Sequence, residues 1–241
     1  MLMHKLLLST AFLAALGATS ADARLQVSIT ANGATFSCFD GQLSCDNSSL
    51  ANNLLTINTV IGGAFVQLTL TQSAFGPPDD LQLSSANIIN ETGAPITVGL
   101  VASDTNFLAP VKSITESGSL TFNSAVGSGP STLSFFADPA NVQGANPTNT
   151  PGIALLSTSG TPATNPDSFS GTTTTGFIAD SPFSMTESAS LNLIGGASVT
   201  GFDQSMQAIV PEPSTWAMMA IGFGLLGFLG VRKSRQARFA F

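Results

Sequence analysis

The chain has 241 residues, of which 43% are hydrophobic and only 9% charged, with a formal net charge of −7. That balance excludes a disordered chain, which pairs low hydrophobicity with high charge. Between residues 24 and 209 two cations, Arg24 and Lys112, stand against twelve carboxylates, so the surface cannot neutralise phosphates and nucleic-acid binding is excluded.

The N-terminus has the layout of a secretory signal peptide. His4 and Lys5 form a short polar region, Leu6 to Ala18 is apolar, and Ala21-Asp22-Ala23 fits an Ala-x-Ala cleavage site. This predicts a signal peptide over residues 1–23, cut between Ala23 and Arg24, with Ala18-Thr19-Ser20 as a second candidate site. Loss of the leader removes His4, the only histidine, and the chain has no tyrosine. A Ser-His-Asp triad, a Cys-His dyad and a His-ligated zinc site are therefore excluded. Cys38 and Cys45 are the only cysteines and flank a polar turn. In an oxidising compartment they predict one disulfide closing a small loop.

From Leu25 onward the pattern is period two. Leu25, Val27 and Ile29 alternate with Gln26, Ser28 and Thr30; Val66, Leu68 and Leu70 alternate with Gln67, Thr69 and Thr71. Ile96, Val98, Leu100 and Ala102 continue it, as do Leu120 with Phe122, and Phe183, Met185, Ala189, Leu191 and Leu193. One apolar and one hydroxyl-rich face mark half-buried antiparallel strands. Turn clusters separate them: residues 76–80, the Asn90-Glu91-Thr92-Gly93-Ala94-Pro95 segment, and residues 127–130. Gly62-Gly63 and Gly195-Gly196 lack a following lysine and helix, so they read as β turns or bulges rather than phosphate loops. Leu50 to Ile57 is the nearest approach to a helix, weakened by Asn52-Asn53. Ten to twelve short strands predict one all-β domain, an antiparallel β-sandwich ectodomain over residues 24–209. Asp138 to Pro151 and Ser157 to Thr175 are too poor in apolar residues for the core and are expected to be long surface loops.

The chemistry left to such a chain is narrow. Lys112 precedes Ser113, but neighbours on a strand point to opposite faces, which argues against a Ser–Lys dyad. The carboxylates leave a hydrolytic acid–base pair open, although the only tryptophan, Trp216, lies outside the domain. Asp79-Asp80, Asp40 with Asp46, and Asp104 with Asn106 offer oxygen ligands for calcium without matching a defined loop. No cofactor and no metal site is expected.

The C-terminus ends the chain with three parts in order. Pro211-Glu212-Pro213 comes first, then an unbroken apolar run from Trp216 to Val231, then Arg232, Lys233, Arg235 and Arg238. Sixteen residues make a helix of about 24 Å, short of a hydrocarbon core of about 30 Å but able to span with thinning and snorkelling. The basic tail over residues 232–241 places the C-terminus in the cytoplasm and Trp216 at the opposite interface. Two prolines hold Glu212 extended. This order over residues 210–238 resembles the PEP-CTERM sorting signal of Gram-negative bacteria, in its Trp-Ala-Met-Met variant. The resemblance implies anchoring in the inner membrane by a single transmembrane helix over 216–231, and recognition of the motif by an exosortase-type processing enzyme. It implies a cell-surface or extracellular-matrix protein associated with exopolysaccharide or biofilm, and the missing catalytic groups add the expectation that it is not an enzyme. A carbohydrate- or calcium-binding adhesin working through the two long loops, and a carboxylate-based hydrolase, remain as alternatives.

Overall fold

A computed structural model describes residues 25–48, 53–73, 79–108, 110–146 and 148–209, together with residues 221 and 223. The described chain folds as two six-stranded antiparallel sheets packed face to face. Sheet A contains β1 (Gln26–Ala31), β2 (Ala34–Phe39), β6 (Ile96–Phe107), β8 (Ser131–Asp138), β9 (Ile153–Gly160) and β11 (Phe183–Leu193). Its strand order is β2-β1-β6-β11-β8-β9. Sheet B contains β3 (Leu54–Ile61), β4 (Ala64–Ser73), β5 (Asp80–Asn90), β7 (Val111–Asn123), β10 (Asp167–Ala179) and β12 (Ser198–Ile209), in the order β10-β7-β12-β5-β4-β3. The all-β sandwich expected from the alternating pattern is the fold observed, with twelve strands.

The alternation decides what faces inward. Val27 and Ile29 of β1, Val66, Leu68 and Leu70 of β4, and Val98 and Leu100 of β6 are all buried between the sheets. Phe107, Phe177 and Phe183 plug one end of the core, with ring centroids 5.7 Å apart for Phe107–Phe183 and 5.3 Å for Phe177–Phe183. Gly118 of β7 makes room in mid-core, since a Cβ there would sit 2.8 Å from Leu133 Cδ1 and 3.1 Å from Phe135 Cζ.

Every strand runs between two ends of the sandwich. At the turn end, Asn32-Gly33 closes β1–β2 and Gly62-Gly63 closes β3–β4, all four residues at positive φ as tight two-residue hairpins require. Asn90 fastens two further turns of this end together. Its buried amide donates to the carbonyls of Ala94, Leu193 and Ile194 at 2.8, 3.0 and 2.9 Å, and its Oδ1 accepts from the backbone N–H and hydroxyl of Thr92. The β11–β12 turn is pressed so closely against the β5–β6 turn that a Cβ on Gly195 would lie 2.7 Å from the Gly93 carbonyl carbon. The other end, the exit end, holds the start of β1, the loops before β3, β5, β7, β9 and β11, and the finish of β12 at Ile209.

Three sequence expectations need correction. Ser157 to Thr175 is not a loop. Residues 157–160 complete β9, and Asp167 onward is β10, whose Thr172–Thr175 run pairs with β7. Hydroxyl-rich edge strands read as loops because only one face is apolar and even that is half-exposed; threonine nevertheless has high strand propensity. Leu54 to Ile61, at the edge of the weak helical candidate, is β3, with Leu55 and Ile57 buried. The loop after Asp138 is present but is not a free surface loop. It lies across the outer face of sheet A, where Gly144 N–H donates to Ser103 Oγ at 2.9 Å and Gln143 donates to the Ser103 carbonyl at 3.0 Å. Gln26 and Ser184 donate to the carbonyls of Ala145 and Val142 at 3.0 and 2.7 Å, so β1 and β11 hold it as well.

Candidate functional site

The exit end is where the sequence-predicted groups meet. Cys38, the penultimate residue of β2, is buried in the core and bonds Cys45 across the β2–β3 loop, with an S–S distance of 1.97 Å and Cα atoms 6.0 Å apart. The loop inside the bridge carries Leu43 outward at 81% exposure. Asp46, next to the bridge, is buried and serves as the loop's internal cap. Its carboxylate accepts from Gly41 N–H at 3.0 Å, from Ser48 N–H and hydroxyl at 2.8 and 2.6 Å, and from Thr56 N–H at 3.3 Å. Burial opposes ionisation of Asp46, yet the hydrogen bonds from Ser48, Gly41 and Thr56 together hold its pKa below the usual value. Asp40 accepts from Asn53 N–H at 2.8 Å, which fastens the far side of the same loop.

Of the oxygen groups considered for calcium, Asp40, Asp46 and Asp79 are placed as acceptors of loop backbone N–H groups. Asp79 accepts from Leu108 N–H at 2.5 Å. Asn106, at positive φ, exchanges hydrogen bonds with Asn141, while Asp104 of the same strand turns inward, so that pair does not converge on one point. Among the described residues no group of three or more Cys, His, Asp or Glu side chains is arranged to hold a metal ion. Lys112 is exposed on β7.

Inside the sandwich lie three acids, of which the sequence singled out only Asp104, and that one as an oxygen ligand on a turn. Asp104 of β6, Glu116 of β7 and Glu187 of β11 each occupy an inward position of an alternating strand and are buried. Asp104 Oδ1 accepts from Thr105 N–H at 2.6 Å, and Oδ2 has no hydrogen-bond partner. Burial, with Asp40 adding repulsion, pushes the Asp104 pKa up to about 7 against the lowering effect of the Thr105 bond. Glu116 is likewise pushed up to about 7 by burial, although Thr175 donates to its Oε2 at 3.3 Å. Glu187 is fully enclosed with both oxygens unpartnered, and burial first, then Asp203, raise its pKa well above normal. Opposite it, Gln204 of β12 crosses the interior to donate to the carbonyls of Ser188 and Ser134 at 3.2 and 3.4 Å, leaving its own Oε1 unpartnered. The signal that finds these residues is phase. Glu187 lies between Met185 and Ala189, and Asp104 follows Ala102, on faces otherwise apolar.

The sorting residues Pro211, Glu212, Pro213 and Trp216, the cations Arg232, Lys233, Arg235 and Arg238, and the leader junction at Ala23 and Arg24 lie outside the described residues. Of the apolar run, Ile221 and Phe223 are described, both helical and exposed. Among the described residues no helix is long and apolar enough to cross a membrane, and the expected span over 216–231 falls beyond them.

The last strand of the two-sheet domain, β12, ends at Ile209. Residues 210–235 match the family model of the PEP-CTERM protein-sorting motif, so the chain carries that motif in its C-terminal segment. The match covers the tail and leaves the sandwich unassigned. No curated protein matches the chain. Among solved structures, one of infectious bursal disease virus, Gx strain, aligns at 11% identity and a TM-score of 0.33, over 80% of this chain and 53% of that one. The chain thus spans about half the length of that viral protein. A structure of carbohydrate-binding modules from the β-sandwich superfamily aligns at 10% identity and a TM-score of 0.29, covering 76% of this chain and 84% of that one. A carbohydrate-binding module of Cellvibrio mixtus lichenase 5A in complex with cellotriose aligns at 13% identity and a TM-score of 0.22, over 64% and 86%. Likeness at this level says nothing about what the sandwich binds.

Proposed function

We propose that the protein is an exported, exosortase-processed and non-catalytic component of the cell surface or extracellular matrix, associated with exopolysaccharide. One juxtaposition supports this reading: β12 ends at Ile209 and the sorting motif begins at residue 210. The entire sandwich therefore stands N-terminal to the signal, as cargo. Processing near Pro211-Glu212-Pro213 would detach that cargo with its last strand complete. The domain's outward faces suit a hydrated polymer, being lined by hydroxyls such as the Thr115–Thr174 pair at 3.0 Å and the Ser134–Ser157 pair at 3.1 Å. Hydroxyls hydrogen-bond sugars without the desolvation cost of charges.

The test is mass spectrometry of the mature protein from its native host. A chain beginning at Arg24 and ending near Pro211, recovered outside the cell, is the expected result. An intact Phe241 in the membrane fraction would replace processing with permanent anchoring. Calorimetry against Ca²⁺ and a glycan panel separates the remaining readings. Saturable binding at submillimolar ligand assigns an adhesin, and turnover of any glycan assigns a hydrolase.

A further inference from the structure

The exit end is unlike the rest of the surface. Eight large apolar side chains are exposed among the described residues of the sandwich, and six of them, Leu43, Leu108, Val142, Ile153, Ile178 and Ile209, belong to this end. Val60 and Val126 are the other two, and both lie toward the turn end. The six span the full width of the end. Ile153 and Ile178 stand at the β9–β10 edge, Leu43 projects from the disulfide-closed loop beside the β2–β3 edge, and the other three lie between. Single exposed apolar residues need no explanation, but a set gathered on one end does.

We propose that the exit end is a bilayer-contacting face, whose apolar side chains lodge at the headgroup–acyl boundary of the membrane that holds the tail. The proposal rests on the tail-anchored reading above. Only six residues, 210–215, separate Ile209 from Trp216. Fully extended they reach about 20 Å, so once the apolar run enters lipid the exit end is kept within that distance of the surface and is the part of the domain nearest to it. The distribution of charge fits as well. The ectodomain is acidic, yet Asp46, Asp79, Asp104 and Asp138 at this end are buried, each accepting from backbone N–H groups. Asp40 and Asp80 are half-buried and Asp180 is exposed. The exposed Lys112 belongs to the same end, and so does Leu25, the residue that follows Arg24. Apolar side chains on a rigid frame, with acids turned inward, gain free energy at an interface by burying area without dehydrating many charges.

The experiment uses the full chain in phosphatidylcholine–phosphatidylglycerol vesicles, with or without bromine on the acyl chains near the headgroup. Trp216 is replaced by Phe, and a single indole is installed by Ile178→Trp in one chain and by Val60→Trp in another. Brominated lipid is expected to cut the emission of the Ile178→Trp chain at least twofold and to leave that of the Val60→Trp chain unchanged. Adding Leu108→Ser, Ile153→Ser and Ile209→Ser to the Ile178→Trp chain is expected to remove most of the quenching while the chain still floats with the vesicles. An unquenched indole at position 178, beside quenched Trp216 in the parent chain, overturns the docking and leaves the tail reading standing. Quenching of neither, with no flotation, overturns both. Quenching that survives the serine substitutions reduces the effect to tethering and overturns the proposal. An indole at position 178 shielded from iodide yet unquenched by lipid assigns the face to a second copy of the chain and also overturns it.

Discussion

Replacing Asp104 by Asn tests the interior reading of the sandwich most directly. In the unfolded chain this carboxyl loses its proton near pH 4; in the folded protein burial keeps it until about pH 7. Between those values the native state holds a proton that the unfolded chain has given up, so the contribution of Asp104 to stability is fully present below pH 4 and is lost as pH rises toward 7. A rise from 3.8 to about 7 corresponds to roughly 4 kcal/mol. Asn is neutral throughout and keeps an oxygen for the Thr105 N–H, which Asp104 accepts at 2.6 Å. Its new amide donor lacks a partner where Oδ2 now lacks one, at a cost of about 1–3 kcal/mol. Asp104→Asn should thus be no more stable than the parent at pH 4, more stable at pH 8, and its loss of stability between the two should shrink by roughly 4 kcal/mol. Urea unfolding of the full chain in non-ionic detergent, followed by far-ultraviolet circular dichroism, provides the measurement, because the sandwich contains neither Trp nor Tyr to report by fluorescence. An unchanged pH slope in the variant would refute the reasoning and mean that Asp104 is already ionised in the native state.

Glu187→Gln should act in the same direction, raising the thermal midpoint at pH 8 more than at pH 4, since burial keeps the parent side chain protonated. A midpoint that moves equally at both pH values would show that ionisation is not involved. Asn90→Ala removes the hydrogen bonds donated to the carbonyls of Ala94, Leu193 and Ile194, although Ala94 keeps the Thr92 hydroxyl and Ile194 keeps the Ala197 N–H, and should cost about 3 kcal/mol in chemical denaturation. Asn90→Asp should be at least as damaging, because a carboxylate cannot donate; a benign Asp variant would contradict the assigned bonding. Reduction of Cys38–Cys45 should lower stability by roughly 2–3 kcal/mol through the freed loop, and a Cys38→Ala/Cys45→Ala chain should no longer respond to reductant.

Much of the architecture was legible because strand periodicity is local. Val27, Val66, Val98 and Leu191 announce their faces by alternation with hydroxyl residues, and all are buried. The disulfide was legible because only two cysteines exist. What stayed hidden depends on partners distant in sequence. Thr172 to Thr175 has no apolar signature, and its strand character comes from pairing with Ile114 to Ser117 on β7. The loop after Asp138 is held by Ser103, Ser184 and Gln26, none of which its own sequence names. The burial of Glu116, Glu187 and Asp104 was hidden for the opposite reason. Their phase was visible, but an acid in an apolar series is discounted as solvated, and only the second sheet shows that it is enclosed. The tail was read from order alone, as Pro-Glu-Pro, apolar run and cations over residues 210–238, and the family match covers residues 210–235 of it.

The strand that carries the chain out of the fold has a mechanical consequence. β12 is not an edge strand; β5 and β7 grip it along both sides, with register from Ser198 to Gln207 on one flank and from Ser198 to Ile209 on the other. Its exit at Ile209 runs along the strand axis. Tension transmitted through residue 209 therefore loads both ladders in shear, so that many backbone bonds must yield together instead of peeling one by one. A tether attached there would pass drag on the domain into both ladders at once.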